Sequence, residues 1–123
     1  MIELSDEKVG LLRISAVMND IAVLDFYSPT CMPCKKMMKI MEQMEDEFKD
    51  NQKVNFYKID ATENSEFVER CEVSSLPTII VYNGYKMVGK FTGITSKAKI
   101  MEAIVEWLGG TQTINCEQNT LFY

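Results

Sequence analysis

The sequence predicts an α/β protein whose central mixed sheet has four to five strands, with helices on both faces. Three apolar runs of strand length, residues 21–27, 54–60 and 78–84, are separated by segments whose apolar residues recur at helical spacing. Strands that alternate with helices usually pair in parallel. The Asn83-Gly84 pair is a strong hairpin signal, so residues 85–93 are expected to add an antiparallel strand.

The individual elements follow from local pattern. A short strand is expected at residues 2–4, and helices are expected at residues 5–18, 35–48, 63–71 and 95–110. Ser5 or Asp6 would cap the first helix, whose buried side would comprise Leu11, Leu12, Ile14 and Val17. The third helix would begin near Asn64 or Ser65, and the fourth at Thr95 or Ser96. Run 21–27 is almost continuously apolar, which is typical of a strand covered on both faces.

The length of the chain predicts the number of domains, and its net charge argues against some classes of partner. The 123 residues suggest one domain at 1–110, followed by a C-terminal extension at 111–123. The net charge is −5 and no basic cluster extends beyond Lys35-Lys36, so nucleic acid is not an expected partner. No apolar run approaches a membrane span, and the acidic residues 1–10 do not resemble a signal peptide. We therefore expect a cytoplasmic, monomeric protein without a membrane partner.

The chemistry centres on Cys31 and Cys34, which lie between strand 21–27 and the second helix. At a helix start, unpaired backbone N–H groups and the helix dipole favour a negative charge, and so a thiolate. Three-residue spacing brings the two sulfurs within bonding reach. Pro33 is tolerated because its missing N–H falls in the first turn. We expect exposed Cys31 to attack a partner disulfide and Cys34 to resolve the mixed disulfide.

Two other interpretations of these cysteines stay open at this point. Four-cysteine zinc sites usually use two close pairs, but Cys71 and Cys116 are isolated, so no metal is expected. The pair could also be two structural cysteines, although the helix-start position would then be a coincidence. The chain has no histidine, which excludes Cys-His nucleophile chemistry. Cys71 is expected to be a small buried hydrophobe, and Cys116 is a candidate for a regulatory or intermolecular disulfide.

Asp25 and Pro77 are two further candidate functional residues. Asp25 interrupts the apolar run, and in a central strand it would be a buried carboxyl with a raised pKa that exchanges protons near neutral pH. If that end of the strand is wet, Asp25 is only solvated. Pro77 directly precedes strand 78–84, and the low frequency of cis prolyl bonds favours a trans peptide there on sequence alone.

Together these residues resemble the thioredoxin family over roughly residues 2–110. The matching stretches are "VLDFYSPTCMPCK", "YKID", "VSSLPTIIVYNG" and "FTG". The resemblance implies the thioredoxin fold and dithiol–disulfide exchange, with Cys31 as nucleophile, Cys34 as resolving thiol and Asp25 as the buried proton-transfer carboxylate. It also implies that Pro77 is a cis-proline facing the cysteines. The backbone of Leu76 would pair with the substrate strand, and Gly93 would keep this surface open.

The sequence departs from the family pattern beside the cysteines. The family usually has Trp-Cys-Gly-Pro-Cys, whereas this chain has Thr30 and Met32 in place of the tryptophan and the glycine. Thr30, Met32 and Pro33 are therefore the expected substrate-contacting residues around the pair. The lysine that often neighbours the buried aspartate is replaced by Phe56, with Lys58 expected on the opposite face. Burial would then govern the pKa of Asp25.

The resemblance implies a thiol-disulfide oxidoreductase that reduces protein disulfides through a Cys31–Cys34 cycle. No cofactor is expected beyond this redox-active disulfide. The partners would be disulfide-containing proteins and a thioredoxin-reductase-type electron donor. Two rival hypotheses are an oxidase or isomerase of the same fold and a non-catalytic binding module. The first is disfavoured because no histidine lies between the cysteines, and the second because a scaffold has no need of two thiols.

Overall fold

The chain forms a five-stranded sheet with helices on both faces in a computed structural model that describes residues 1–108. The strands are β1 (Ile2–Leu4), β2 (Ile21–Tyr27), β3 (Val54–Asp60), β4 (Thr78–Asn83) and β5 (Lys86–Thr92). The helices are α1 (Gly10–Val17), α2 (Met32–Glu47), α3 (Ser65–Arg70) and α4 (Lys97–Leu108), and a 3-10 turn spans Asp6–Lys8. The predicted extension at 111–123 lies outside the described residues.

Strand β2 is the centre of the sheet, whose order is β1-β3-β2-β4-β5. It pairs in parallel with β3 and antiparallel with β4, and β3 pairs in parallel with β1. All residues of β2 except Tyr27 are buried. The mixed sheet and the near-continuous apolar run of its central strand are therefore as predicted.

Each face of the sheet carries its own apolar core. Helices α1 and α3 pack on one face, where the buried residues include Leu12, Ala16, Leu24, Phe26, Ile59, Phe67 and Tyr82. Helices α2 and α4 pack on the other, where they include Val23, Met37, Met41, Met44, Phe56, Ile79, Ile100 and Ile104. None of the helices between residues 1 and 108 is long and apolar enough to cross a bilayer.

The buried side predicted for the first helix is mostly wrong. Of the four residues expected inside, only Leu12 is buried, whereas Leu11, Ile14 and Val17 are exposed. The helix starts at Gly10 because the 3-10 turn precedes it, and Leu12, Ser15 and Ala16 then face the sheet. An apolar stripe consequently remains on the outside of α1.

The third helix is capped from a distant part of the chain. The carboxylate of Asp6 accepts hydrogen bonds from the backbone N–H of Phe67 at 3.0 Å and of Glu66 at 3.4 Å. Asn64 accepts a hydrogen bond from the Asp6 backbone N–H at 2.9 Å and donates to the Asp60 carbonyl at 2.8 Å. Asp6 therefore satisfies first-turn donors of α3 rather than capping the first helix.

The hairpin predicted from Asn83-Gly84 is present between β4 and β5. Gly84 has a φ of +62°, which favours glycine, and a Cβ there would lie 2.6 Å from Oδ1 of Asn19. The Gly84 N–H donates to the Asp20 carbonyl at 2.9 Å. The hairpin turn is therefore joined to the segment that follows α1. Ser96 caps α4 as predicted, since its Oγ accepts from the Lys99 N–H at 3.3 Å.

Removal of the Asp6 carboxylate should destabilise the protein. We expect Asp6→Ala to lower the free energy of unfolding by about 1–2 kcal/mol, the usual cost of losing a helix cap. The matched control is Glu7→Ala, which removes an exposed carboxylate from the same 3-10 turn. Urea denaturation of both variants measures the difference, and equal stabilities of the two would contradict this role of Asp6.

Candidate functional site: a cysteine pair at the start of α2

Strand β2 delivers Cys31 to the start of α2. The turn after Tyr27 is closed by a hydrogen bond from the Cys31 N–H to the Ser28 carbonyl at 3.2 Å. Cys31 is the N-cap residue of α2, and its Sγ accepts a hydrogen bond from the Cys34 N–H at 3.2 Å. The helix-start position predicted for Cys31 is confirmed. Positive helix-dipole charge and unpaired N–H groups surround this sulfur.

The two cysteines form a disulfide, with a Cα–Cα distance of 5.2 Å. The pair therefore represents the oxidised form of the site. Cys31 is partly exposed, whereas Cys34, in the first turn of α2, is 2% exposed. This asymmetry makes Cys31 the more accessible sulfur. Pro33 lies in the first turn of α2, as its missing N–H requires.

Asp25 is completely buried on the face of the sheet that α2 and α4 cover. Its neighbours of the same orientation in β2 are Ile21 and Val23, which belong to the core under these helices. Neither carboxylate oxygen has a hydrogen-bond partner within residues 1–108. Burial raises the pKa of Asp25 to about 7, and the nearby Lys58 opposes the shift. The interpretation of Asp25 as merely solvated is therefore excluded.

The structure places Lys58 on a different face of the sheet from the one predicted. The β2–β3 register pairs Asp25 directly with Lys58, and residues that pair in register point to the same face of a sheet. Lys58 therefore lies on the same face as Asp25 rather than on the opposite one. Because side chains alternate between the two faces along β3, Phe56 and Lys58 both lie on this face. The pairing register of β2 and β3 then decides which of the two lies beside Asp25.

Lys58 also belongs to a polar group at the rim of the sheet. Its Nζ lies 4.0 Å from Oε1 of Glu3, while the Tyr27 hydroxyl donates to Oε2 of Glu3 at 2.6 Å. Burial and the Glu3 carboxylate both raise the pKa of Tyr27, which stays a neutral donor. Sequence reasoning missed Glu3, because the pairing of β1 with β3 sets its proximity to Lys58.

The Leu76–Pro77 peptide bond is cis, as the resemblance implied and contrary to the trans bond favoured by sequence alone. Thr78 pairs with Phe26 and with Thr92, so Pro77 and Gly93 lie at the same end of the sheet as the cysteine turn. The Gly93 N–H donates to the Pro77 carbonyl at 2.8 Å. Gly93 has a φ of +82°, and a Cβ there would meet nothing within 4 Å.

Exposed apolar side chains lie at this end of the molecule. Met32 is 70% exposed and Ile94, directly after Gly93, is 57% exposed. Thr30 and Pro33 are also exposed, and Leu76 is half-buried. Ile94 was missed, because no local pattern distinguishes an exposed isoleucine in a loop from a buried one.

Cys71 lies away from the site in the core under α1 and α3. It is a free thiol with 3% exposure, and burial raises its pKa to about 11. The expectation of a small buried hydrophobe is thus confirmed. Cys116 lies outside the described residues. Within residues 1–108, no group of three His, Cys, Asp or Glu side chains is placed to hold a metal ion.

Comparison with known proteins identifies the family, since the thioredoxin family model matches residues 13–106. The chain belongs to the thioredoxin family. Thioredoxin-2 of Saccharomyces cerevisiae is 37% identical over 84 residues, which cover 68% of this chain and 77% of the yeast protein. Thioredoxin of Bacillus subtilis is 31% identical over 84 residues, which cover 68% of this chain and 79% of the bacterial protein.

Solved structures agree with this assignment. The structure of Fasciola hepatica thioredoxin matches with a TM-score of 0.74 and 25% identity, covering 86% of this chain and 98% of the other. Oxidised mitochondrial thioredoxin 3 of Saccharomyces cerevisiae matches with a TM-score of 0.71 and 26% identity, covering 86% and 94%. The fold is therefore the thioredoxin fold. The protein is a thioredoxin-type disulfide reductase whose redox group is its own cysteine pair.

The raised pKa of Asp25 predicts a pH-dependent stability. The native protein holds this proton up to a pKa of about 7, whereas the unfolded chain releases it near 3.8. Between these values the native state binds more protons, so the stability contributed by protonated Asp25 is lost as pH rises. The loss is on the order of 4 kcal/mol at most. Urea denaturation from pH 4 to 8 should show the stability of Asp25→Asn rising relative to wild type, and parallel curves would refute the shift.

Removal of Lys58 should raise the pKa of Asp25 further. We expect Lys58→Gln to take that pKa above its wild-type value of about 7, because a cation stabilises the ionised carboxylate. NMR titration of the Asp25 carboxyl carbon measures it directly. Lys53→Gln is the control, since Lys53 acts on Asp20. An unchanged pKa in Lys58→Gln would show that Lys58 exerts no effect on Asp25.

Proposed function

We propose that Cys31 is the nucleophile and Cys34 the resolving thiol of this disulfide reductase. The observation that carries the assignment is the unequal exposure of the bonded pair, with Cys31 at the open start of α2 and Cys34 buried in its first turn. A thiolate at Cys31 would receive the positive end of the helix dipole and the Cys34 N–H. The sulfur of Cys34 lies within bonding reach of Cys31 Sγ, which supports its role as the resolving thiol.

The proposed cycle transfers two electrons to the partner. The Cys31 thiolate attacks one sulfur of a partner disulfide, which breaks, and a mixed disulfide forms while the first partner thiolate leaves. Cys34 then loses its proton and attacks Cys31 Sγ. The Cys31–Cys34 disulfide forms, the mixed disulfide breaks, and the second partner sulfur leaves as a thiolate that takes up a proton.

Asp25 is proposed as the group that takes the proton from Cys34. It is buried beneath α2, the helix that carries Cys34, and its pKa of about 7 suits proton exchange at neutral pH. A carboxylate with an ordinary pKa would be a weaker base, and a carboxyl on the surface would not share the dry environment of Cys34.

We propose that substrates bind across the surface around Cys31. Thr30, Met32 and Pro33 lie on one side, and Leu76, Pro77 and Gly93 at the near end of β4 and β5 lie on the other. The backbone of Leu76 would pair with an extended segment of the substrate. The flexible thioether of Met32 suits partners of varied shape.

The remaining proposals concern the setting of the protein. Its substrates would be proteins with accessible disulfides, and a thioredoxin-reductase-type donor would return two electrons through the same surface. A monomer at residues 1–110 would suffice, since both cysteines come from one chain. A reducing compartment such as the cytoplasm fits a protein that must be reduced between turnovers.

Serine variants test the two cysteine roles. We expect Cys31→Ser to abolish the reduction of a disulfide substrate such as insulin. Cys34→Ser should instead accumulate a mixed disulfide on Cys31, because the resolving step is lost. Non-reducing electrophoresis and mass spectrometry detect the adduct. Cys71→Ala is the matched control and should react at the wild-type rate. Wild-type turnover by Cys34→Ser would overturn the two-cysteine mechanism.

A further inference from the structure

Lys58 lies between two carboxylates in one row across three strands. In the sheet order β1-β3-β2, strand β3 separates the other two. The register pairs Lys58 with Glu3 of β1 on one side and with Asp25 of β2 on the other. Paired residues point to the same face of a sheet, and neighbouring strands lie about 4.8 Å apart. The flexible four-carbon stem of Lys58 can therefore bring its ammonium to either carboxylate.

The ammonium lies on the Glu3 side of this row. The Nζ of Lys58 is 4.0 Å from Oε1 of Glu3, whereas neither oxygen of Asp25 has a hydrogen-bond partner among residues 1–108. The Glu3 carboxylate is itself held, because the Tyr27 hydroxyl donates to its Oε2 at 2.6 Å. Burial and Glu3 raise the pKa of Tyr27, so this hydroxyl stays a donor at neutral pH. Glu3 thus offers Lys58 an anionic partner away from Asp25.

The two carboxylates differ in their exposure to water. Asp25 is completely buried, whereas the side chains of Glu3 and Lys58 are 51% and 35% exposed. An exposed ion pair contributes little, and the attraction between charges is stronger where water is excluded. Ionised Asp25 should therefore attract Lys58 more strongly than Glu3 does, whereas neutral Asp25 exerts no such attraction. The position of the ammonium should depend on the protonation of Asp25.

The other charged groups on this face leave Lys58 as the cation that acts on Asp25. Asp60 lies on the same face of β3, but its Oδ1 accepts hydrogen bonds from the N–H and the hydroxyl of Thr62, at 2.9 and 2.6 Å. The β4 residue opposite Asp25 and the buried residues of α4 are apolar. Helix α2 contributes Cys34, the proposed proton donor, and its nearby lysines are exposed: Lys35, Lys36 and Lys39. Within the described part of the chain, Lys58 is the charged group that shifts the pKa of Asp25.

We propose that Glu3 is a positioning residue for proton exchange at Asp25: it holds the Lys58 ammonium while Asp25 is neutral and releases it when that carboxyl ionises. The proposal rests on the proposed role of Asp25 as the base for Cys34. In that step the S–H bond of Cys34 breaks and an O–H bond forms on Asp25. The negative charge passes from the carboxylate to the sulfur, and Lys58 returns to Glu3. By competing for Lys58, Glu3 keeps the Asp25 carboxylate basic enough to accept the proton.

NMR titration of side-chain carbons tests the movement of Lys58. The oxidised protein is used, because its bonded cysteine pair does not titrate. We expect Cε of Lys58 and Cδ of Glu3 each to show a step at the midpoint measured on Cγ of Asp25. Both steps should be absent in Asp25→Asn, and Cε of Lys53 should show no step at this pH. A Glu3 signal without a step at the Asp25 midpoint would overturn the proposal.

Variants of the row test whether Glu3 acts through Lys58. We expect Glu3→Gln to lower the pKa of Asp25 from about 7 by a few tenths of a unit, because Lys58 then stays with the ionised carboxyl. In a Lys58→Gln background, Glu3→Gln should change that pKa much less. Glu7→Gln, the control, removes an exposed carboxylate from the turn after β1 and should leave the pKa unchanged. Equal lowering in both backgrounds would show that Glu3 acts only through its own charge, which overturns the proposal.

The rate of the resolving step separates this proposal from the assigned role of Asp25. Reduced protein is mixed with 5,5′-dithiobis(2-nitrobenzoate), and stopped-flow absorbance follows release of the aromatic thiolate when Cys34 attacks the adduct on Cys31. The midpoint of the rate against pH should move down in Glu3→Gln together with the pKa of Asp25. A shifted pKa with an unshifted rate profile would overturn Asp25 as the base but support the movement of Lys58. An unshifted pKa in Glu3→Gln would overturn that movement whatever the rate profile shows.

Discussion

The position of β2 at the centre of the sheet determines the site. Because β2 pairs with β3 on one side and β4 on the other, its backbone is fixed over almost its whole length. The chain leaves it into a short turn that delivers Cys31 to the start of α2. The same strand carries Asp25 two residues before its end. One buried strand therefore fixes both the reactive sulfur and the buried carboxyl.

Burial of the Asp25 carboxyl lowers the stability of the native state when this group is ionised. A buried carboxyl without a hydrogen-bond partner among the described residues is ionised only with difficulty, and its charged form destabilises the native state. A fold selected for stability alone would place an apolar residue at this position of β2. Retention of the carboxyl is understandable if it serves proton exchange, for which a pKa near 7 is well suited. Lys58 limits the penalty without removing it.

The sequence correctly predicted the features that depend on residues close together in the chain. Apolar runs gave strands β2 and β3 with their observed bounds, and Asn83-Gly84 gave the hairpin. The helix-start position of the cysteines followed from their spacing and from Pro33. The buried state of Asp25 required knowledge that β2 is central, which the run 21–27 suggests but does not prove.

The features that were missed depend on contacts between distant segments. Asp6 caps α3 across about sixty residues, and no local pattern distinguishes this from a cap on the first helix. The place of Lys58 beside Asp25 follows from the register of two strands, since a shift of one residue would send it to the other face. The cis bond before Pro77 was indicated by family resemblance alone.

The apolar residues of α1 also show that the sequence alone does not decide which side of a helix is buried. Leu11, Leu12, Ile14 and Val17 are equally hydrophobic in the sequence, yet a single helix on a flat sheet buries only one side. The phase set by the helix start at Gly10 selects Leu12 and leaves the other three outside.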